Sequence, residues 1–393
     1  MYPRLILNKS GERRQQLGHP WVYDGEIARL EGTPADGDVA DCYSYKETFL
    51  GRGYFNSRSK IRLRVLTRDP EATNDEVLLR QQLVWALARR QRLYPQATSL
   101  RLVHAEGDGL PGLTVDRYED VLVMQCASLG MDRRQALLAR LLREFTGLER
   151  LYLRNDLNTR RNDGLELHSG FFSDPFPTTF HIHEHDLTFE VDVAHGHKTG
   201  FYLDQMDNHW LLRTLVPAGG TVLDAFCYSG VFAIHAAAAG ATSVLGLDSS
   251  AAALTMAQNN ATLNNVSTVC RFEESNVFDR LRQLADGDQR FDLIILDPPS
   301  FTHRRDAVAK ALSGYKEINL RALKLLRPGG VLLTFTCSYY VDRTHFEGMV
   351  LEAAADARRQ LILRQRLSQA AHHPEVLAVP ETSYMKGLAV EVW

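Results

Sequence analysis

The pattern of apolar and polar positions changes twice along the chain. Up to about residue 70, apolar residues come in short runs of strand length, separated by turns such as "EGTPADGDVADCY". These runs are rich in Gly and lack a long helical period, which predicts a small β-barrel or sandwich. "NDEVLLRQQLVWALARRQRLY" (residues 74–94) then repeats at helical spacing, with Asn74 as its N-cap. It opens an α+β segment with strands near "DVLVMQCAS" and "RLYLRND" and a helix near "DRRQALLARLLREF". "GDGLPGLTVDRY" is a Gly/Pro-rich turn leading into a further strand. From about residue 186, strands and helices alternate. "TVLDAF", "TSVLGLD", "FDLIILD" and "VLLTFTC" have strand character, and "GVFAIHAAAAG", "SAAALTMAQNNATLNN" and "RDAVAKALSGYKEINLRALKLL" have helical character, the last stopped by "RPGG". This alternation predicts an α/β fold with a doubly wound parallel sheet. The expected domains are 1–70, 71–185 and 186–393.

Composition adds mainly exclusions. Of 393 residues, 45% are hydrophobic and 24% charged, which is ordinary for a globular protein. No apolar run reaches the roughly 18 residues of a membrane span, and the N-terminus lacks a signal-peptide layout. The expected location is the cytoplasm, away from any membrane. The five cysteines are scattered without metal-ligand spacing, so neither a metal site nor a disulfide framework is expected. The net charge of −3 excludes a chain that is basic throughout. A local basic run remains in "GRGYFNSRSKIRLRVLTR" (51–68), where six Lys and Arg residues interleave with Tyr54 and Phe55. It reads either as a phosphate-binding strip or as the solvated face of a strand.

Candidate chemistry gathers at strand ends, where such sheets bind ligands. "VLDAFCYSG" brings Asp224 to the end of the first strand, followed by Ser229 and Gly230. "LGLDSS" ends the second strand with Asp248, suited to a ribose diol, and "IILDPPSF" ends the fourth with Asp297. The first loop lacks the glycine set that lets a backbone press on a pyrophosphate, which favours S-adenosylmethionine over NAD. Asn276, after the third strand, reads either as an adenine contact or as a turn residue. Any one of these acids alone reads equally well as a helix cap.

Together, "LDAFCYSGVFAIHAA", "LGLDSS", "ILDPPSF", "GYKEINL" and "LLTFTCS" resemble the motifs of class I RNA methyltransferases, and among them the RlmI-like family of large-subunit rRNA cytosine methyltransferases. "LGHPWVYDGEI" resembles the start of a PUA domain, and "GHKTGFYLDQ", "GDGLPGLTVDRYEDVLVMQ" and the tail "HHPEVLAVPETSYMKGLAVEV" extend the resemblance over nearly the whole chain. It implies a PUA-like RNA-binding barrel over 1–70, a central domain, and a Rossmann-like class I methyltransferase domain over 186–393. It implies cofactor contacts at Tyr202, Asp204, Asp224, Cys227, Ser229, Gly230, Asp248, Ser249, Asn276 and Asp297. The implied substrate is RNA, most naturally 23S rRNA or a large-subunit assembly intermediate, and a homodimer is left open. Position 227 is Cys where that family suggests a small hydroxyl residue, 276 is Asn where it suggests an acid, and 300 is Ser where Lys is common.

Methylating carbon 5 of cytosine requires activation of a poor nucleophile. A thiolate adding to the neighbouring ring carbon provides it. Cys337, just past a strand at the cofactor edge, is the expected nucleophile, with Asp297 as its acidic partner at the pyrimidine edge. Two alternatives stand beside this. One is methylation of an exocyclic amine through D-P-P-S-F without a cysteine. The other is a non-catalytic RNA-binding or assembly protein. Lys198, Lys316, His372 and His373 have no assigned role at this point.

Overall fold

The computed structural model of the protein describes residues 2–72 and 74–393. Packing divides the chain into two compact units. The first comprises Met1–His183, Val191–Leu203 and Ala371–Thr382, and the second Glu184–Glu190, Asp204–Ala370 and Ser383–Trp393.

The first unit begins with β1 (Arg4–Leu7), β2 (Trp21–Tyr23), β3 (Ile27–Glu31), β4 (Val39–Tyr43), β5 (Phe49–Phe55) and β6 (Ile61–Thr67) in one sheet, ordered β2-β6-β5-β4-β1-β3. Leu5, Leu7, Val22, Ala40, Leu63 and Val65 point into its core. A short helix, α1 (Lys9–Gln16), interrupts the strands. It is polar and buries only Gly11 and Gln15, so it has no apolar stripe for a periodicity argument to find. Asn8 starts it by accepting the N–H groups of Ser10 and Gly11.

The basic run lies on and beside β5 and β6, and two of its members, Arg52 and Arg64, turn inward. Arg52 forms a buried bidentate pair with Asp41 at 2.6 and 3.1 Å. Arg64 reaches Asp163 and Glu106. Arg62 pairs with Asp24, and Arg68 donates to the carbonyls of Leu50 and His19. Arg58, Lys60 and Arg68 remain exposed.

Next come α2 (Asp75–Leu93), capped by Asn74 as its sequence suggests, and a second sheet of β7 (Ser99–His104), β8 (Leu113–Tyr118), β9 (Val121–Cys126), β10 (Arg150–Asn155) and β11 (His168–Phe171), ordered β11-β10-β9-β8-β7. The single helix expected near 132–145 is instead two, α3 (Leu129–Asp132) and α4 (Gln135–Thr146). His372 and His373 are buried in this unit, the carbonyl of His372 accepting Arg90 at 2.7 Å. A hairpin of β12 (Thr179–Glu184) and β13 (Leu187–Asp192) follows.

The second unit is the doubly wound sheet. Its strands are β14 (Thr221–Ala225), β15 (Ser243–Asp248), β16 (Cys270–Glu274), β17 (Phe291–Leu296), β18 (Leu326–Thr336), β19 (Leu361–Leu367) and β20 (Lys386–Val392), ordered β16-β15-β14-β17-β18-β20-β19. The first five are parallel, and β20 runs antiparallel between β18 and β19. Helices α5 (Met206–Leu215), α6 (Val231–Ala238) and α7 (Ala251–Leu263) pack on one another, as do α8 (Val277–Asp286), α9 (Val308–Leu325) and α10 (Arg343–Ala357). "RPGG", expected as the stop after α9, already belongs to β18, where the left-handed turn at Gly329 accompanies a register shift against β17. Among the described residues, no helix is long and apolar enough to cross a membrane.

Candidate active site

The strand order reverses between β14 and β17, so the loops leaving their carboxyl ends part and open a crevice. Asp224 is the penultimate residue of β14, Asp248 the last of β15, and Asp297 the first after β17. Register sets Asp224 beside Gly246 and Ala225 beside Leu296.

The loop after β14 is held in an unusual backbone path. Phe226, Tyr228 and Gly230 all have left-handed φ, at 69°, 46° and 77°. Such geometry costs about 1–2 kcal/mol for a non-glycine residue and persists only where neighbours enforce it. Here Cys227 N–H donates to Leu247 O and Tyr228 N–H to an Asp248 carboxylate oxygen, both at 2.9 Å. Gly230 has no substitute, because a Cβ would lie 2.9 Å from the Phe272 ring on an already left-handed residue. Gly246 lets the loop approach β15, since a Cβ there would come 3.0 Å from Cys227 Sγ.

Asp248 also accepts Ser250 N–H at 2.9 Å. A carboxylate has about four acceptor positions, so capacity remains for the two hydroxyls of a ribose. Asp224 is 1% exposed; one oxygen accepts Ala233 N–H at 3.0 Å and the other, Oδ1, is buried without a partner. Burial, reinforced by the nearby Asp297 and Asp248 charges, pushes its carboxyl up to about 8. A cationic ligand at this edge favours its ionised form. The arrangement therefore fits S-adenosylmethionine, which brings a ribose together with sulfonium and ammonium charges.

The remaining residues divide. Cys227 is buried, and burial followed by Asp224 and Asp248 pushes its thiol well above the ordinary range. Ser229 is buried, its carbonyl accepting Asn260 at 3.0 Å. Ser249 is exposed. Asn276, also exposed, caps α8 by accepting Asp279 N–H at 3.3 Å. Asp204 is buried and accepts Tyr384 OH at 2.8 Å. Asp297 accepts Gln205 Nε2 at 3.0 Å, and Gln205 is itself held by Asn208 at 2.6 Å. Tyr202 belongs to the first unit, where its hydroxyl meets His197 at 3.1 Å and Lys198 Nζ stands 4.3 Å from its ring centre. Lys316 is engaged in ion pairs with Asp356 and Glu352.

Cys337 follows the last residue of β18 and is half-buried. Its neighbour Ser338 is fully buried, with Oγ 2.8 Å from Tyr315 OH and 2.9 Å from Ser300 Oγ. The carbonyl of Ser338 accepts Lys386 Nζ at 3.3 Å. Gln205, Tyr315, Tyr384 and Lys386 thus join the site although sequence reasoning did not single them out. Tyr315 and Gln205 lie inside "GYKEINL" and "GHKTGFYLDQ", so the stretches were informative where the individual residues were not.

Behind the loop, a buried cluster joins β12, α5 and α6. Glu184 Oε1 accepts from His209 at 2.7 Å and His235 at 3.0 Å. Burial works against the Glu184 charge, yet the two rings hold its carboxyl well below the ordinary range. The three side chains lie close enough to share a metal ion, but their contacts are already of hydrogen-bond length.

Comparison with known proteins agrees with this geometry. The PUA-like domain family matches residues 5–68, and the S-adenosylmethionine-dependent methyltransferase family matches residues 154–388. The chain is 39% identical to ribosomal RNA large subunit methyltransferase I of Shewanella denitrificans, over 99% of each chain. It is 40% identical to the protein of that name from Shewanella amazonensis, again over 99% of each. A solved structure of SMU.776 complexed with SAH has the same fold, with TM-score 0.85 at 19% identity over 99% of both chains. S-adenosylmethionine is the cofactor, and the chain belongs to the S-adenosylmethionine-dependent methyltransferases, within the family of the ribosomal RNA large subunit methyltransferases I.

Proposed function

We propose that the protein methylates carbon 5 of a cytosine in RNA, with large-subunit ribosomal RNA as the substrate, and that it works in the cytoplasm. The observation that carries this reading is Cys337, a half-buried thiol at the carboxyl edge of β18, beside the strand that leads to Asp297. The names of the relatives support the RNA substrate, and the PUA-like barrel supplies a module for docking it.

Asp248 receives the ribose of the cofactor, while Asp224 faces its positive charge. The target base enters flipped out of its stack. Cys337 thiolate forms a bond to carbon 6, Asp297 gives a proton to the ring nitrogen N3, and the displaced double-bond pair makes carbon 5 nucleophilic. S-adenosylmethionine supplies the methyl group as an electrophile, its carbon–sulfur bond breaking with the pair kept on sulfur. Loss of the carbon-5 proton to solvent, its bonding pair re-forming the ring double bond, and return of the N3 proton to Asp297 then restore the ring and expel the Cys337 thiolate. The hydrogen bond from Gln205 keeps the Asp297 carboxyl oriented through both proton transfers.

RNA carrying 5-fluorocytosine at the target tests this. Fluorine does not leave as a proton does, so a stable protein–RNA adduct accumulates, and peptide mapping finds it on Cys337. Methylation without an adduct, with the methyl group on an exocyclic amine, would replace this reading with direct transfer to nitrogen.

A further inference from the structure

Resting on Cys337 as nucleophile, we propose that Lys386 is its positioning residue, fixing the strand end that carries the thiol and favouring the thiolate. Lys386 opens β20 and is 6% exposed. Antiparallel register pairs it with Thr336, the residue before Cys337. Its Nζ crosses to the carbonyl of Ser338, the residue after Cys337, at 3.3 Å, and also donates to Tyr384 O at 3.4 Å. The side chain therefore spans the cysteine from one flank to the other. Burying an ammonium costs several kcal/mol unless local groups compensate, and an apolar side chain would pack there without that cost. A charge kept in such a place acts on what lies beside it.

The other flank is fixed by hydroxyls. Ser338 Oγ meets Tyr315 and Ser300, and Ser338 N–H donates to Thr336 Oγ1 at 3.2 Å. These bonds hold the backbone but bring no charge, because burial raises the Tyr315 phenol and keeps it neutral. Titratable groups near this strand end include Asp297 after β17, Tyr384 before β20 with Asp204, whose carboxylate its hydroxyl meets at 2.8 Å, and Tyr339, Tyr340 and Asp342 in the loop itself. Arg343, at the start of α10, donates to Leu367 O. Deprotonated carboxylates in this set oppose a thiolate, whereas Lys386 offsets them from within the fold. A single buried positive charge beside a thiol is worth about one to two pH units in its midpoint.

The test reads Cys337 directly. Alkylation by iodoacetamide is followed against pH, with Cys337 resolved from the other four cysteines by peptide mass spectrometry. The wild-type midpoint is expected below the ordinary thiol value of about 8.5. Lys386→Met should raise it by about one unit or more and lower kcat at pH 7 about tenfold, with S-adenosylmethionine affinity unchanged by calorimetry. Lys386→Arg should recover most of both. A wild-type midpoint at or above the ordinary value overturns the proposal even if Lys386→Met does not fold. So does a folded Lys386→Met protein with the wild-type midpoint. Neither result touches the covalent reading, which fails separately if 5-fluorocytosine RNA gives no adduct with the wild-type protein.

Discussion

Two loops leave the same edge of the same sheet, each carrying a cysteine, and they treat it in opposite ways. After β14, Cys227 is buried against Gly246, and burial together with Asp224 and Asp248 suppresses its ionisation. After β18, Cys337 is half-buried and flanked by the hydroxyls of Ser300, Tyr315 and Ser338 and by the Lys386 ammonium. The residue type is identical and the distance from the strand end similar. What separates them is burial first and then the charge around the sulfur. The first loop belongs to a carboxylate cluster suited to a cationic cofactor, and burial, reinforced by that cluster, holds its thiol protonated. On the proposed mechanism, cofactor binding and covalent catalysis fall to separate loops.

The sharpest way to break this contrast is to remove each thiol. Cys337→Ala should lose about 10³-fold or more in turnover and form no adduct with 5-fluorocytosine RNA, because the covalent path disappears. Cys227→Ala should keep turnover within a few-fold and still trap RNA. If Cys227→Ala abolishes the adduct and Cys337→Ala does not, the roles of the two loops are reversed.

The next largest effect probes the cofactor side. Asp248→Ala should weaken S-adenosylmethionine binding by about 2–3 kcal/mol, or about 30–150-fold in Kd, through lost hydrogen bonds to a charged acceptor. Part of the loss reflects the released Tyr228 and Ser250 N–H groups, which Asp248 holds in place. Alkylation of Cys337 should be unaffected. Wild-type affinity measured by calorimetry would remove Asp248 from the cofactor site.

The carboxylate cluster also predicts a pH dependence. Asp224 stays protonated in the folded protein up to about 8, whereas in the unfolded chain it ionises near its ordinary value. Between about pH 4 and 8 the folded state therefore holds a proton that the unfolded state has released, and stability falls as pH rises. Asp224→Asn removes this contribution. Its melting temperature should vary less than that of the wild type from pH 5 to 8 and exceed it at pH 8. Parallel melting curves for the two proteins would show that Asp224 is already ionised when folded.

These contrasts were unequally legible in the sequence. The parallel strands and their terminal acids announce themselves because apolar runs of strand length end in Asp, whereas Cys337 is singled out only by the surrounding motifs and the family resemblance. The partners do not. Gln205 reaches Asp297 across 92 positions, and Lys386 reaches Ser338 across 48. No local period encodes such a meeting. Two members of the basic run, Arg52 and Arg64, turn inward for the same reason: Asp41, Asp163 and Glu106, which claim them, lie on other elements. Helix α1 and the "RPGG" start of β18 escaped because short polar or glycine-rich stretches follow neighbouring strands rather than their own propensity.

The smallest predicted effect sharpens the comparison most finely. Position 227 is Cys where the family pattern suggests a hydroxyl, so Cys227→Ser asks whether the loop needs sulfur at all. Cys227 Sγ is buried, with Tyr228 O at 4.0 Å as a weak acceptor. A shorter hydroxyl there loses packing against β15 and must find its own hydrogen bond, at a cost of about 1 kcal/mol in stability. The backbone path of the loop does not depend on the side chain, because Cys227 N–H, Tyr228 N–H and Gly230 hold it. Cofactor affinity should therefore change by no more than about threefold, and the 5-fluorocytosine adduct should form at the wild-type rate. A larger fall in affinity with the fold intact would mean that the sulfur itself contacts the cofactor. The division between a binding loop and a reactive loop would then be one of charge alone, with both sulfurs touching ligand.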